Sequence, residues 1–282
     1  MKTGQPIAAR EWDADFFGTL NQLPPEPVAG IGGILEAMGT LPAFHDARRW
    51  MLRQLRLAPG AAVLEGGCGT GVALPDLLEL VGTTGRVAGV DPTEAFVATA
   101  RTRAARAGAT NARYEVGDIR ALPFADGTFA GAFCDKVLIH AGPPVAALGE
   151  LARVAQGGRV GAVEWLPCFA LSTTRPELEA SFNAIFRASL YDYGVSANLA
   201  RQFHAAGLTE VRSEAFLAHT TSLDAHPFWR HFIIGQLPMF CHTGLIAEEE
   251  AGALRDDLEG LEARGEFSAG FIVQAAVGTT SG

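Results

Sequence analysis

From about residue 60 to residue 165, short apolar runs alternate with longer stretches in which apolar residues recur every three or four positions. A short continuous apolar run bounded by turn residues predicts a buried strand, whereas the three- to four-residue spacing predicts a helix with one buried face. The strands expected on this reading are residues 61–66, 86–91, 112–118, 130–135 and 159–165, and the helices between them are 71–81, 93–107 and 144–155. Pro143 and Pro144 open the third of these helices and Gly157 and Gly158 close it, as the preference for proline in the first turn and glycine past the end requires. Strand and helix alternating in this way predict βαβ units that share one parallel sheet.

On either side the pattern changes. Residues 10–23 and 44–55 read as amphipathic helices separated by a Pro/Gly-rich loop, 24–42. After the alternating region, helices are expected at 176–190, 195–207, near 224–236 and at 247–264, with strands at 209–218 and 268–277. Seven strands result, and the expected fold class is α/β: a seven-stranded, mostly parallel sheet flanked by helices, with helical additions before the first strand and after the fifth.

The composition is 48% hydrophobic and 19% charged, enough apolar material to bury a full core. A formal net charge of −9 argues against nucleic acid as a partner, because phosphate binding needs a concentrated positive surface. The arginine groups Arg48/Arg49/Arg53/Arg56 and Arg101/Arg103/Arg106 fall in helical stretches and read as solvated helix faces. Cys68, Cys134, Cys168 and Cys241 show neither a disulfide ladder nor thiolate metal spacing, and the seven histidines contain no HxxxH or HExxH pair, so no metal is expected. Arg10, Glu11, Asp13 and Asp15 interrupt any leader-like apolar segment near the start, and no apolar run approaches the ~18 residues of a membrane span. A cytoplasmic protein with no membrane partner is expected.

The chemistry concentrates at "AVLEGGCGTG", residues 62–71, where four glycines follow directly on the first strand. A strand that turns into a helix presents unpaired N–H groups and a positive dipole end, and glycines let a ligand lie against that backbone. The dinucleotide spacing G-x-G-x-x-G fails here, since the required third glycine is Val72 or Leu74 depending on where counting starts. What stands instead, E-G-G-C-G-T-G, resembles the first motif of the class I S-adenosylmethionine-dependent methyltransferases. The stretches 87–101, 115–129 and 136–160 resemble, in order, that family's second strand ending in an acid, its adenine-wall segment and its fourth-strand exit, helix and turn. The likeness is to the menaquinone/ubiquinone-biosynthesis-type small-molecule enzymes.

The resemblance implies a Rossmann-like sheet and S-adenosyl-L-methionine as cofactor. It implies that the turn Gly66, Gly67, Cys68, Gly69 and Gly71 receives the methionine part, with Glu65 near its ammonium and Cys134 beside it. Asp91 would accept from the ribose hydroxyls and Asp118 from the adenine amine, with Pro92 and Ile119 on the ring. Departures from the family pattern are Glu65 for the commoner Asp, Ala130 where an Asp often stands, and Ala155-Gln156 before the Gly-Gly turn.

His140, after the fourth strand, is the candidate general base. Trp12, Phe16, Trp165 and Tyr191 are the candidates to wall an acceptor, and residues 12–17 and 167–195 the candidate lid. Residues 1–57 are read as an N-terminal helical lid and 58–282 as the methyltransferase domain, with a cofactor-binding half, 58–165, and an acceptor-side half, 166–282. The expected reaction is in-line methyl transfer to a small apolar or aromatic molecule. The alternatives are a protein of the same fold using the cofactor without methylating, or, with the glycine spacing against it, a nicotinamide oxidoreductase.

Overall fold

The apolar runs of the chain's first half become strands, and those at residues 62–66, 131–135 and 159–165 are buried on both faces, which is the environment of a parallel sheet covered by helices. The computed structural model describes residues 16–189 and 194–281. Its strands are β1 (Ala62–Gly66), β2 (Arg86–Asp91), β3 (Ala112–Val116), β4 (Gly131–Asp135), β5 (Arg159–Leu171), β6 (Thr209–Thr220) and β7 (Ala269–Thr279). They form one sheet in the order β3-β2-β1-β4-β5-β7-β6, parallel except for β7, which runs antiparallel to both neighbours. The expected seven-stranded, mostly parallel, Rossmann-like sheet is therefore present.

The order runs outward from β1 to β3 on one side and from β4 on the other, so a crevice opens between the carboxyl ends of β1 and β4. Ligands of open α/β sheets sit at such a switch point. The helices of the crossovers are α4 (Leu74–Val81), α5 (Glu94–Arg106) and α6 (Pro144–Val154). Later helices are α7 (Pro176–Ser189), α8 (Leu199–Ala205), α9 (Pro227–Arg230), a π-helical turn at His231–Gly235, α10 (Leu237–His242) and α11 (Glu248–Ala263). Among the described residues no single helix is long and apolar enough to cross a membrane.

The N-terminal region departs from the sequence reading. Short α1 (Phe16–Thr19) is followed by α2 (Pro25–Thr40) and α3 (Pro42–Leu55), so most of the expected 24–42 loop is helix. Pro25 sits at the start of α2, where its missing N–H costs nothing. Gly39 is required for packing, since a Cβ there would lie 2.3 Å from Cγ1 of Val72 in the segment after β1. The glycines that made the segment look like a loop are in part the means by which α2 approaches the sheet.

Helix α3 belongs to the sheet's covering layer: Phe44, Ala47, Met51 and Leu55 are fully or almost fully buried, with Met51 against Gly161 of β5 and the Phe44 ring 5.8 Å from Phe271 of β7. Arg48, read from sequence as solvated, is 2% exposed and faces inward, whereas Arg49, Arg53 and Arg56 stay accessible.

Residues 167–189, part of the expected lid, are built into the core instead. Strand β5 continues to Leu171; Phe182 and Phe186 of α7 pack on each other and on Phe169, Phe186 also on Phe232, and Phe169 on Phe232 and Phe271, in tilted, stacked and edge contacts of 5.1–5.7 Å. Each large aromatic ring removes on the order of 150–250 Å² from water, which holds this layer shut.

Candidate active site

The cleft lies at the carboxyl ends of β1, β2 and β4 under the N-terminal helices and is open to solvent at its mouth. Its lining includes Glu65, Gly67, Cys68, Gly69, Asp91, Pro92, Asp118, Ile119 and His140, so most of the residues singled out from sequence converge there. The turn after β1 is left-handed at Gly67, Gly69 and Gly71, with φ of 71°, 49° and 74°. Gly67 is doubly constrained, because any Cβ would strike Val137 at 2.3 Å. Gly66 and Gly71 lie beneath this surface, against Ile119 and Ala100 respectively.

Asp91 ends β2 and is 5% exposed. Its Oδ2 accepts from the Gly69 amide at 2.8 Å and its Oδ1 from the Thr93 amide at 2.9 Å. Burial raises its pKa, and those two backbone N–H groups counter the rise. Each oxygen retains a lone pair for a further donor.

Glu65 is 4% exposed, and its Oε2, facing no water, has no hydrogen-bond partner among the described residues. Burial first, and then the nearby Asp135 carboxylate, push its pKa up to about 8, with Arg48 and Lys136 opposing. A buried carboxylate oxygen without a donor is costly, and a cationic donor arriving in the cleft would relieve that cost.

Asp118 sits at the rim, and the Arg120 guanidinium grips its carboxylate at 2.6–3.0 Å. Burial opposes ionisation there, but the bonds from Arg120 outweigh it and hold the carboxyl below its ordinary range. His140 lies 4.9 Å from the Phe17 ring, edge on, and burial alone lowers its pKa to about 4. It is neutral at physiological pH.

Cys134 is fully buried within β4, in register with Gly66 and beneath the lining, and burial pushes its thiol well up. Trp165 is 4% exposed and packs against Phe169, Phe186, Phe232 and Phe271 at 5.4–6.0 Å; it is not part of the cleft wall. The aromatic layer takes it up because β5 buries both faces at that point. Trp12 and Tyr191 lie outside the described residues, as does the side chain of Phe16.

Several residues of the cleft were not legible in the sequence. Arg48 donates from Nε to Asp76 at 2.8 Å, from Nη1 to Asp135 at 3.1 Å and from Nη2 to the Gly39 carbonyl at 3.2 Å. Lys136 donates to the other oxygen of Asp135 at 2.6 Å. Glu164 of β5, wholly buried, accepts from the Val137 and Leu138 amides at 2.9 and 2.7 Å and so fixes the turn after β4. The one signal for it was an acid inside an apolar strand pattern.

The N-terminal elements are tied down over the site. Asn21 donates to the Pro92 carbonyl and accepts from the Glu94 amide, both at 2.9 Å, and Thr93 donates to the Phe17 carbonyl at 2.9 Å. Glu36 of α2 accepts from Thr70 at 2.5 Å and pairs with Arg103.

A glycine turn at the switch point, an acid at the end of β1 and another at the end of β2 line the cleft of this α/β domain. Residues 63–158 match a methyltransferase domain family. An uncharacterized 37.1 kDa protein of transposon Tn4556 from Streptomyces fradiae is 37% identical over 150 residues, which are 52% of this chain and 42% of that protein. Demethylmenaquinone methyltransferase of Shouchella clausii is 30% identical over 132 residues, 46% of this chain and 56% of that enzyme. The chain spans about half the length of these curated relatives. In fold, it is similar to the YcgJ protein of Bacillus subtilis, with a TM-score of 0.59 at 20% identity over 84% of this chain and 99% of that one. The cofactor of this domain type is S-adenosylmethionine.

Proposed function

We propose that the protein transfers a methyl group from S-adenosylmethionine to a small acceptor, and the observation that carries this reading is the buried, unpartnered Oε2 of Glu65, a residue of the cleft lining. An α-ammonium group is the donor that this oxygen lacks, and pairing with it would favour the ionised carboxylate. The remaining lone pairs of Asp91 suit the two hydroxyls of a ribose. Pro92 and Ile119 offer apolar surface for the base, and Asp118 a carboxylate at the rim for its amine. Gly67 and Gly69 leave the backbone bare for the methionine arm.

The cofactor supplies an activated methyl on sulfur; the protein supplies alignment and exclusion of water. Holding an acceptor atom in line is worth about 7–11 kcal/mol in well-oriented cases, so positioning alone accounts for much of the catalysis. Phe17, Leu35, Val72 and Val137 line the cleft and favour an acceptor with an apolar or aromatic body. Helices α1 and α2, held by Asn21 and Glu36, form the lid of this reading. The free cysteines among the described residues, Cys68, Cys134, Cys168 and Cys241, suit a reducing cytoplasm.

The test has two parts. Calorimetry should show S-adenosylhomocysteine binding that Glu65→Ala or Asp91→Ala abolishes. A panel of small acceptors incubated with methyl-labelled cofactor should yield a labelled product in step with released S-adenosylhomocysteine. Tight cofactor binding without any methylated product would support the non-methylating alternative instead.

A further inference from the structure

Lys136 is the first residue after β4, and its backbone is left-handed at φ 62°, with its amide donating to the Val163 carbonyl at 2.7 Å. A non-glycine residue held in that region persists only where its surroundings fix it, and such positions gather at functional sites. The side chain lines the cleft and is 10% exposed, with Nζ 4.9 Å above the centroid of the Phe44 ring. Its neighbour Val137 packs against Gly67, so the lysine stands beside the glycine turn.

The ion pairs around it are unevenly shared. Arg48 is bonded to both Asp76 and Asp135, and each of its three nitrogens has an acceptor. Lys136 has Asp135, which it shares with Arg48. An ammonium offers three N–H donors, so donor capacity beyond the Asp135 bond remains on a residue that lines the cleft. A wholly apolar acceptor would cover this ammonium and leave it short of partners, which is unfavourable in a cleft shielded from water. A carboxylate would call for a second, parallel donor, and the Arg48 guanidinium is already turned to Asp76, Asp135 and the Gly39 carbonyl. A single anionic oxygen matches the point charge of the one ammonium among the described residues of the cleft lining.

We infer that Lys136 is the acceptor-recognising and activating group of the cleft, and that the acceptor carries an acidic hydroxyl, a phenol or an enol, whose oxygen pairs with Nζ. The inference rests on the methyl-transfer reading above. The hydroxyl proton leaves to solvent as the acceptor binds, and the oxyanion is held by Lys136. That oxygen forms the new bond to the methyl carbon while the methyl–sulfur bond breaks, its electron pair staying on sulfur as a neutral thioether. The ether product has no anionic oxygen for Lys136 to hold, which favours its release. No side-chain base is needed, in keeping with the neutral, weakly basic His140.

The probe is 4-nitrophenol, whose phenolate band reports ionisation directly. With the full-length protein, with and without S-adenosylhomocysteine, the bound probe should ionise about one pH unit or more below the free compound. K136M should abolish that lowering, K136R should retain part of it, and K136M should still bind S-adenosylhomocysteine, at most several-fold more weakly because Lys136 favours the ionised form of Glu65, which also shows that the variant is folded. A bound probe that ionises at its free midpoint, a lowering that survives in K136M, or no probe binding at millimolar concentration overturns the inference. So does loss of S-adenosylhomocysteine affinity in K136M, which would make Lys136 an anchor for the nucleoside. If wild-type protein fails to bind S-adenosylhomocysteine, the methyl-transfer reading falls, while the probe measured without it still decides whether Lys136 holds an oxyanion.

Discussion

Oδ2 of Asp91 accepts from the Gly69 amide at 2.8 Å, so the acid that ends β2 holds the glycine turn that follows β1. With Oδ1 on the Thr93 amide, one carboxylate also fixes the start of α5. Asp91→Ala should therefore do more than remove the two ribose contacts proposed for it. At roughly tenfold or more per charge-assisted bond, cofactor affinity should fall by at least about a hundredfold. Asp91→Asn should rescue little, because its NH₂ would meet one of the two backbone donors. Calorimetric titration of both variants with S-adenosylhomocysteine checks this.

Glu65 and Glu164 make stability and binding respond to pH in opposite directions. Both carboxyls are pushed up to about 8, chiefly by burial, against an ordinary value of 4.5. The folded protein keeps protons that the unfolded chain gives up. The stability they contribute is therefore full below pH 4.5 and is lost as pH rises through about 8. Thermal melts of the cofactor-free protein should show Tm falling between pH 5 and 8.5. Glu164→Gln, whose carbonyl can still accept from Val137 and Leu138, should flatten that fall. Cofactor affinity should instead rise with pH up to about 8, because pairing Glu65 with an ammonium expels its proton. Glu65→Gln should lose both the pH slope and the released proton in calorimetry across buffers of different ionisation heat.

Asn21 clamps the segment before α2 to the turn after β2 through two hydrogen bonds. Two such bonds, at about 1 kcal/mol each, hold a lid shut without building the core. In Asn21→Ala the cofactor should dissociate roughly tenfold faster, with Tm nearly unchanged. Stopped-flow displacement measures this; an unchanged off-rate would exclude these bonds from the gate.

Gly39 and Val72 test whether α2 must sit where it does. The Cβ of Gly39→Ala would lie 2.3 Å from Val72 Cγ1 and should lift the helix, costing about 1–3 kcal/mol of stability together with cofactor affinity. The double variant Gly39→Ala/Val72→Ala should recover both, because it removes the obstructing methyls. A double variant no better than the single would mean that the close approach is incidental.

The sheet was legible because each parallel strand is a short apolar run with turn residues at its ends, and β2, read as 86–91, occupies those residues. The convergence of the glycine turn, Asp91 and Asp118 on one cleft was legible for a related reason: they sit in the turns that follow the strands, close in sequence to the strands that position them. Helix α2 was missed because its glycines serve contact with Val72 and Phe96, a tertiary reason that local propensity does not contain. Arg48 and Glu164 were missed because a buried charge is recognised by its partners, and theirs lie 28 and 87 residues away for Arg48 and 26 and 27 for Glu164. Trp165 was drawn toward the acceptor by its chemistry alone, when the neighbouring rings had already claimed it.

The composition of α2 bears on how the cleft opens. Gly30, Gly32, Gly33 and Gly39 lie within its sixteen residues, and at about 1 kcal/mol each relative to alanine they leave the segment too weak to stay helical when undocked. Coiling of this stretch and covering of the nucleoside are then a single transition, so ligand entry would register as melting of one helix and ligand capture as its winding.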